Sequence, residues 1–210
     1  MHSIAIVVMC VFAAVCYGVA HDQVTARVCV EYFTVGHPPV CDTDDPTRLG
    51  IGWGIIATWW VGLILGVPLA IAGRAGTRPK RSIVSLVRPI ACLLAVMAVC
   101  ALLAGATGWL VASAGAVRLV GPIAAALPAD RHVPFLADLW AHSASYLAGF
   151  VGGIVVIAQV WRSRGRAAPG GAERTRRPIV RKAIAHRTEG SEAQDTPRQT
   201  SGRISLHACG

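Results

Sequence analysis

His142 is the residue with the most chemical promise in this chain of 210 residues. It is the one imidazole inside an apolar block, with Asp138 four residues before it, Ser145 three after and Tyr146 four after. Residues four apart lie nearly above one another on a helix, so Asp138, His142 and Tyr146 share a face. Imidazole and carboxylate together suit zinc or a similar divalent ion. Glu31 and His37 are expected on the same side, so a metal centre would draw on Glu31, His37, Asp138 and His142, with Asp138 as ligand or as support for one. A second reading makes His142 a base with Ser145 or Glu31 as partner, though no nucleophile elbow accompanies them. In a third, plainer reading Asp138 complements the positive start of its helix, and His142 bonds Tyr146 or the loop and anchors it. No CxxC occurs, which excludes a zinc ribbon or thioredoxin-like site, and a single histidine within a span cannot supply two axial haem ligands.

The elements that must position these residues are apolar blocks. Hydrophobic residues make up 54% of the chain and charged ones 15%, a balance that excludes an ordinary soluble domain. The blocks cover residues 4–20, 49–73, 90–117 and 139–161, each near or above the length that spans hydrocarbon. The expected fold is an all-α membrane protein, a four-helix transmembrane bundle over residues 1–161. Sixteen of the 20 Lys and Arg fall in residues 74–89 and 162–210. The positive-inside rule therefore makes 74–89 a cytoplasmic loop and 21–48 and 118–138 external loops, with both termini cytoplasmic. Residues 1–20 also read as a signal peptide with a small-residue site at Gly18 to Ala20, which would leave the new N-terminus outside.

The second block is the expected packing hub. Gly50, Gly54, Thr58, Gly62 and Gly66 recur every fourth residue and form a smooth stripe that a neighbouring helix can approach closely. Trp59 and Trp60 are expected to fill space between helices, and Pro68 to bend the helix near its end. Pro89 is expected in the first turn of the third helix. In the first loop, residues 24–32 alternate like a strand and Gly36-His37-Pro38-Pro39 ends the run, so a short β-like strand or hairpin is predicted outside the membrane. Cys29 and Cys41 bracket that turn and form either a disulfide or two separate thiols. Residues 162–210 are basic and rich in Pro, Gly, Ser and Thr, and are expected to be a disordered cytoplasmic tail on anionic headgroups.

The runs VEYFTVGHPP (residues 30–39), TDDPT (43–47) and GWGIIATWWVGLILGVPLA (52–70) resemble a family of bacterial multi-pass membrane proteins without an assigned activity. WAHSASYLAG (140–149) fits the same pattern. The resemblance implies a four-span protein of the bacterial inner membrane and carries no reaction or ligand. The expected function is a non-enzymatic accessory or interaction bundle working at its external face. The alternative is a metal-binding protein or metal-dependent enzyme using His37, His142 and Glu31, and a small-molecule transporter or channel subunit comes third. No cofactor is expected beyond a divalent metal ion. The expected partners are the bilayer, anionic headgroups and another copy of the chain or another membrane protein. Nucleic acid is not expected, because the basic stretch lacks interleaved aromatics and a binding motif.

Overall fold

In a computed structural model, the structure describes residues 1–39 and 42–166. Seven α-helices occur there: α1 (His2–Val28), α2 (Glu31–Thr34), α3 (Pro46–Ile56), α4 (Trp59–Arg74), α5 (Ile83–Ser113), α6 (Pro122–Ala126) and α7 (His132–Arg166). A 3₁₀ turn at Ala129–Arg131 leads into α7. Among the described residues, four stretches are long and apolar enough to cross a bilayer: His2–Val28, Pro46–Arg74, Ile83–Ser113 and Ala129–Gly165. Their outward faces are lined with large apolar side chains such as Phe12, Ile64, Leu102 and Leu147, as a lipid-facing surface requires.

The bundle is built from two close helix pairs. α1 lies along α3 and α4, while α5 lies along α7, and α4 meets α7 to join them. The small-residue stripe sets the first pair. A Cβ added at Gly54 would sit 2.5 Å from the Cα of Val19, and one at Gly62 would sit 2.6 Å from the Cα of Val11. Backbone therefore packs on backbone, with Gly50 against Asp22 and Gln23 and Gly66 against Cys10. In the second pair Gly105 faces Ala141 and Gly108 faces Trp140.

Each end carries its own apolar core. Ile6, Cys10, Leu69, Leu86 and Val160 gather at the end where α4 turns into α5. At the opposite end Tyr32, Phe33, Leu49, Leu127 and Phe135 form a lid with Ala26 and Cys29.

Several expectations are corrected. Residues 24–28 belong to α1, and Glu31–Thr34 forms a helical turn, so the predicted strand is absent among the described residues. Asp22, Thr25 and Ala26 are buried on one side of α1 while Val24 and Arg27 face out. That helical burial pattern outweighs the alternation, because a helix satisfies its backbone internally and a lone strand does not.

α5 begins at Ile83 under a Ser82 cap, whose side chain accepts from Ser85 N–H, so Pro89 lies inside the helix. Burial of Leu86 in the core draws that start forward. The second span breaks at Ala57 and Thr58, although Pro68 stays within a continuous α4. There the Thr58 hydroxyl bonds the Gly54 carbonyl, beside the closest approach of Gly18. Trp59 and Trp60 are 49% and 38% exposed, so they face outward and do not fill the bundle.

α7 continues past Trp161, placing Arg162 and Arg164 in helix and not in the tail. Arg164 is only 1% exposed. Its guanidinium donates to the carbonyls of Ala72, Ala75, Arg78 and Pro79 at 2.6 to 3.0 Å. Two of these close the last turn of α4, where a cation is favoured by the helix dipole. The tail expectation for residues 167–210 lies outside the described residues. So does Cys41, and with it the bridge expected from Cys29.

Candidate functional site

α1 delivers the first part of the site. Ile6, Cys10, Gly18, Asp22 and Ala26 are buried along one row of four-residue spacing, with the half-buried Ala14 between Cys10 and Gly18, and this row carries the helix well beyond Ala20. It brings Asp22, 5% exposed, to the interior with His21 beside it. α7 supplies His142, 8% exposed. The donor atoms of His21, Asp22 and His142 lie within 4.8 Å of one another, the one such group of three among the described residues.

The hydrogen bonds of His142 define its chemistry. Its Nδ1 lies 2.8 Å from the Asp138 carbonyl, which can only accept, so the Nδ1 proton is held there. Its Nε2 is then directed at Asp22 Oδ1, 3.3 Å away. In the neutral ring that nitrogen is a lone pair, and a lone pair facing a carboxylate is repelled unless a proton or another cation lies between them. Backbone support at one nitrogen with the other free toward an acid is the arrangement found in metal-binding histidines. The 3.3 Å separation also matches the roughly 3.3 Å between ligand atoms in a tetrahedron with bonds of about 2.0 Å. The His21 ring meets His142 edge-on at 4.6 Å, and its buried Nε2 has no hydrogen-bond partner.

An aromatic shell surrounds the group. Tyr32 stacks on His142 at 4.4 Å, and Phe33 approaches edge-on at 5.8 Å. Tyr17 stacks on His21 at 5.9 Å and its hydroxyl bonds Ser145 Oγ at 2.8 Å. Tyr146 donates to the Ala57 carbonyl at the break before α4. A cavity of about 100 Å³ runs inward from Tyr17, His21, Asp22, His142 and Ser145 between apolar walls. The polar group thus sits at one end of an internal space with mainly apolar walls.

The residues expected to converge with His142 are placed differently. Glu31 accepts both bonds of a bidentate pair with Arg131, at 2.8 and 2.7 Å. That guanidinium holds its carboxyl below the ordinary carboxylate range. Cys29 donates its thiol to Glu31 Oε2 at 3.4 Å, and burial pushes the thiol pKa up to about 12. His37 binds the Tyr32 carbonyl through Nδ1 at 2.8 Å and packs on Trp53 at 4.8 Å. Glu31 and His37 therefore fasten the loop and do not join His142 in a ligand set. Asp138 lies two turns inside α7, not at its start, so it has no helix terminus to complement. Ser145 is engaged by Tyr17, which leaves no Ser–His couple.

Sequence reasoning missed His21 and Asp22 by ending the first helix at residue 20. Asp22 was nonetheless legible as the next member of the row Cys10, Ala14, Gly18, Ala26 at the same spacing. No protein-family model, curated protein or solved structure matches the chain. The resemblance of residues 30–39 and 52–70 to a membrane family therefore rests on those residues alone.

Proposed function

We propose that this is a multi-pass membrane protein that binds a divalent transition-metal ion through His21, Asp22 and His142. The observation that carries the reading is the His142 ring, protonated toward a backbone carbonyl on one side and facing Asp22 on the other. Three protein donors leave a coordination position free, as in metal sites that act on a water or a substrate. By the positive-inside rule the centre lies near the external face, and the resemblance of residues 30–39 and 52–70 implies that the membrane is a bacterial inner membrane. The protein would then either carry the ion at that face or use it there.

The test is metal analysis of the protein purified in detergent, loaded with zinc and desalted. About one equivalent per chain is expected, falling to background in His142→Ala and Asp22→Ala. Equal, substoichiometric metal in wild type and variants would remove the reading.

One observation favours a second reading, the non-enzymatic interaction bundle. The Tyr17–Ser145 bond and the Asp22–His142 pair both run from α1 to α7 and would clasp the two helix pairs together. In that case metal has no effect on thermal stability, while Tyr17→Phe and His142→Ala lower it together.

A further inference from the structure

The end of the bundle away from His142 carries positive charge with no acid to answer it among the described residues. Residues 1–21, 46–129 and 139–166 contain no Asp or Glu, so no carboxylate stands on the helix ends that meet there. Glu31–Arg131 and Asp22–His142, the two ion pairs among the described residues, both belong to the opposite end. Residues 167–210 bring eight Lys and Arg against four Asp and Glu, so their net charge adds to the excess.

The fold nonetheless draws these cations together. Arg164 gathers the connection between α4 and α5 through its four carbonyls. Arg81 N–H donates to the Gly73 carbonyl at 2.9 Å, and Arg74 Nη1 donates to the Arg81 carbonyl at 3.0 Å. The Arg78 guanidinium lies 4.8 Å from the centre of the Trp161 ring, and that of Arg164 lies 6.0 Å from the same ring. Arg74, Arg78, Arg81 and Arg164 thus converge on one connection, which also carries the exposed Lys80. Carbonyls answer hydrogen bonds but cancel no charge, and cations of one sign held close attract an anion.

The surroundings select the kind of anion. Ile71 one turn before Arg74, Val84 and Val87 at the start of α5, and Trp161 beside Arg78 are all exposed. Large apolar side chains next to guanidiniums mark the boundary between hydrocarbon and headgroups, and an indole suits that depth. A soluble anion would leave this apolar rim in water. We infer that this end of the bundle binds an anionic phospholipid, its phosphate held by Arg78, Lys80 and Arg81 and its acyl chains along the apolar rim. Guanidinium forks donate to phosphate oxygens in pairs, and basic pockets between spans suit phospholipid headgroups. The patch is remote from His21, Asp22 and His142, so the inference stands whether or not they hold an ion.

The experiment uses the full chain in non-ionic detergent, with bound lipid counted by native mass spectrometry. Added phosphatidylglycerol is expected to bind and to raise the melting temperature, and phosphatidylcholine to do neither. Arg78→Gln/Arg81→Gln keeps the carbonyls that Arg164 and Arg74 use and should weaken binding about tenfold or more. Lys80→Gln, at an exposed position, should weaken it about threefold to fivefold and decides the matter should the double variant fail to fold. Arg176→Gln/Arg177→Gln should leave binding unchanged, and inorganic phosphate should displace no more lipid than chloride at matched ionic strength. Equal binding of phosphatidylcholine, specific displacement by inorganic phosphate, binding unchanged in Lys80→Gln, or an equal loss in Arg176→Gln/Arg177→Gln would overturn the inference.

Discussion

The two ends of the bundle each bury a cationic or titratable group, and they treat it in opposite ways. At one end Arg164 gives its guanidinium to four carbonyls of a single connection, Ala72, Ala75, Arg78 and Pro79. Arg78 stacks over Trp161 at 4.8 Å beside it, and Arg74 bonds the Arg81 carbonyl. Here the charge is bound on every side by backbone and serves to fold the turn. At the other end His21 Nε2 and Asp138 Oδ2 are sealed from the surface without hydrogen-bond partners. A polar group whose bonds are all made within the protein is architecture, whereas one kept unpaired at some cost is available to something else.

The largest expected effect comes from breaking the satisfied end. Arg164→Ala removes the donor from four buried or half-buried carbonyls at once. Hydrogen bonds to a charged group contribute about 1.5–3 kcal/mol each and do not add fully, so a loss of at least about 3 kcal/mol is expected. Arg164→Lys should recover only part of it, because an ammonium cannot reproduce the planar fork. Thermal unfolding in detergent reads the loss, and zinc stoichiometry of the surviving folded fraction should be unchanged. If Arg164→Ala melts with the wild type, the inner connection is not organised by this residue. If it abolishes metal binding while leaving the melt intact, the division between the two ends is wrong.

A smaller effect is expected in the scaffold between them. Gly62 lies against the α1 backbone, and Gly62→Leu forces α1 and α4 apart where nothing flexible can yield. Overpacking of this kind costs about 1–3 kcal/mol. Gly54→Leu should cost a similar amount and should also weaken metal binding, because Gly54 packs one turn from the α1 segment carrying His21 and Asp22. A Gly62→Leu variant that melts like the wild type would show that the two helices are not held in close contact.

What could be read in the chain follows the same division. The four spans and the glycine row are properties of single helices, and both hydropathy and four-residue spacing are local signals. The ends of the spans were not local. Whether residues 21–28 continue a helix depends on Asp22 and Ala26 burying against α3 and α7, and polarity alone argued for a loop. His142 was recognisable as the one imidazole in an apolar block, but its partner was sought among residues that looked external. Glu31 and His37 looked available because their own partners, Arg131 and the Tyr32 carbonyl, are supplied by tertiary folding. Arg164 was assigned to a charged tail for the same reason. Its burial depends on carbonyls some 85 to 92 residues earlier in the chain.

The smallest effect concerns the Glu31–Arg131 pair, which fastens the lid over the His–Asp group without belonging to it. Both side chains are partly accessible, at 23% and 30%, so the pair contributes only about 0–1 kcal/mol after solvent screening. Arg131 lowers the pKa of Glu31 from its ordinary value of 4.5. The unfolded chain therefore takes up a proton on Glu31 at higher pH than the folded chain does. The stabilisation is fully present above about pH 4.5 and is lost as pH falls through the lower folded-state value. Glu31→Gln should flatten this part of the acid limb in a series of melts between pH 6 and 3, and raised salt should shrink the difference from wild type. Zinc affinity at neutral pH should be the same in both proteins. A Glu31→Gln chain that loses zinc would return Glu31 to the ligand set, and an unaltered acid limb would mean that the lid is held by its aromatic contacts alone.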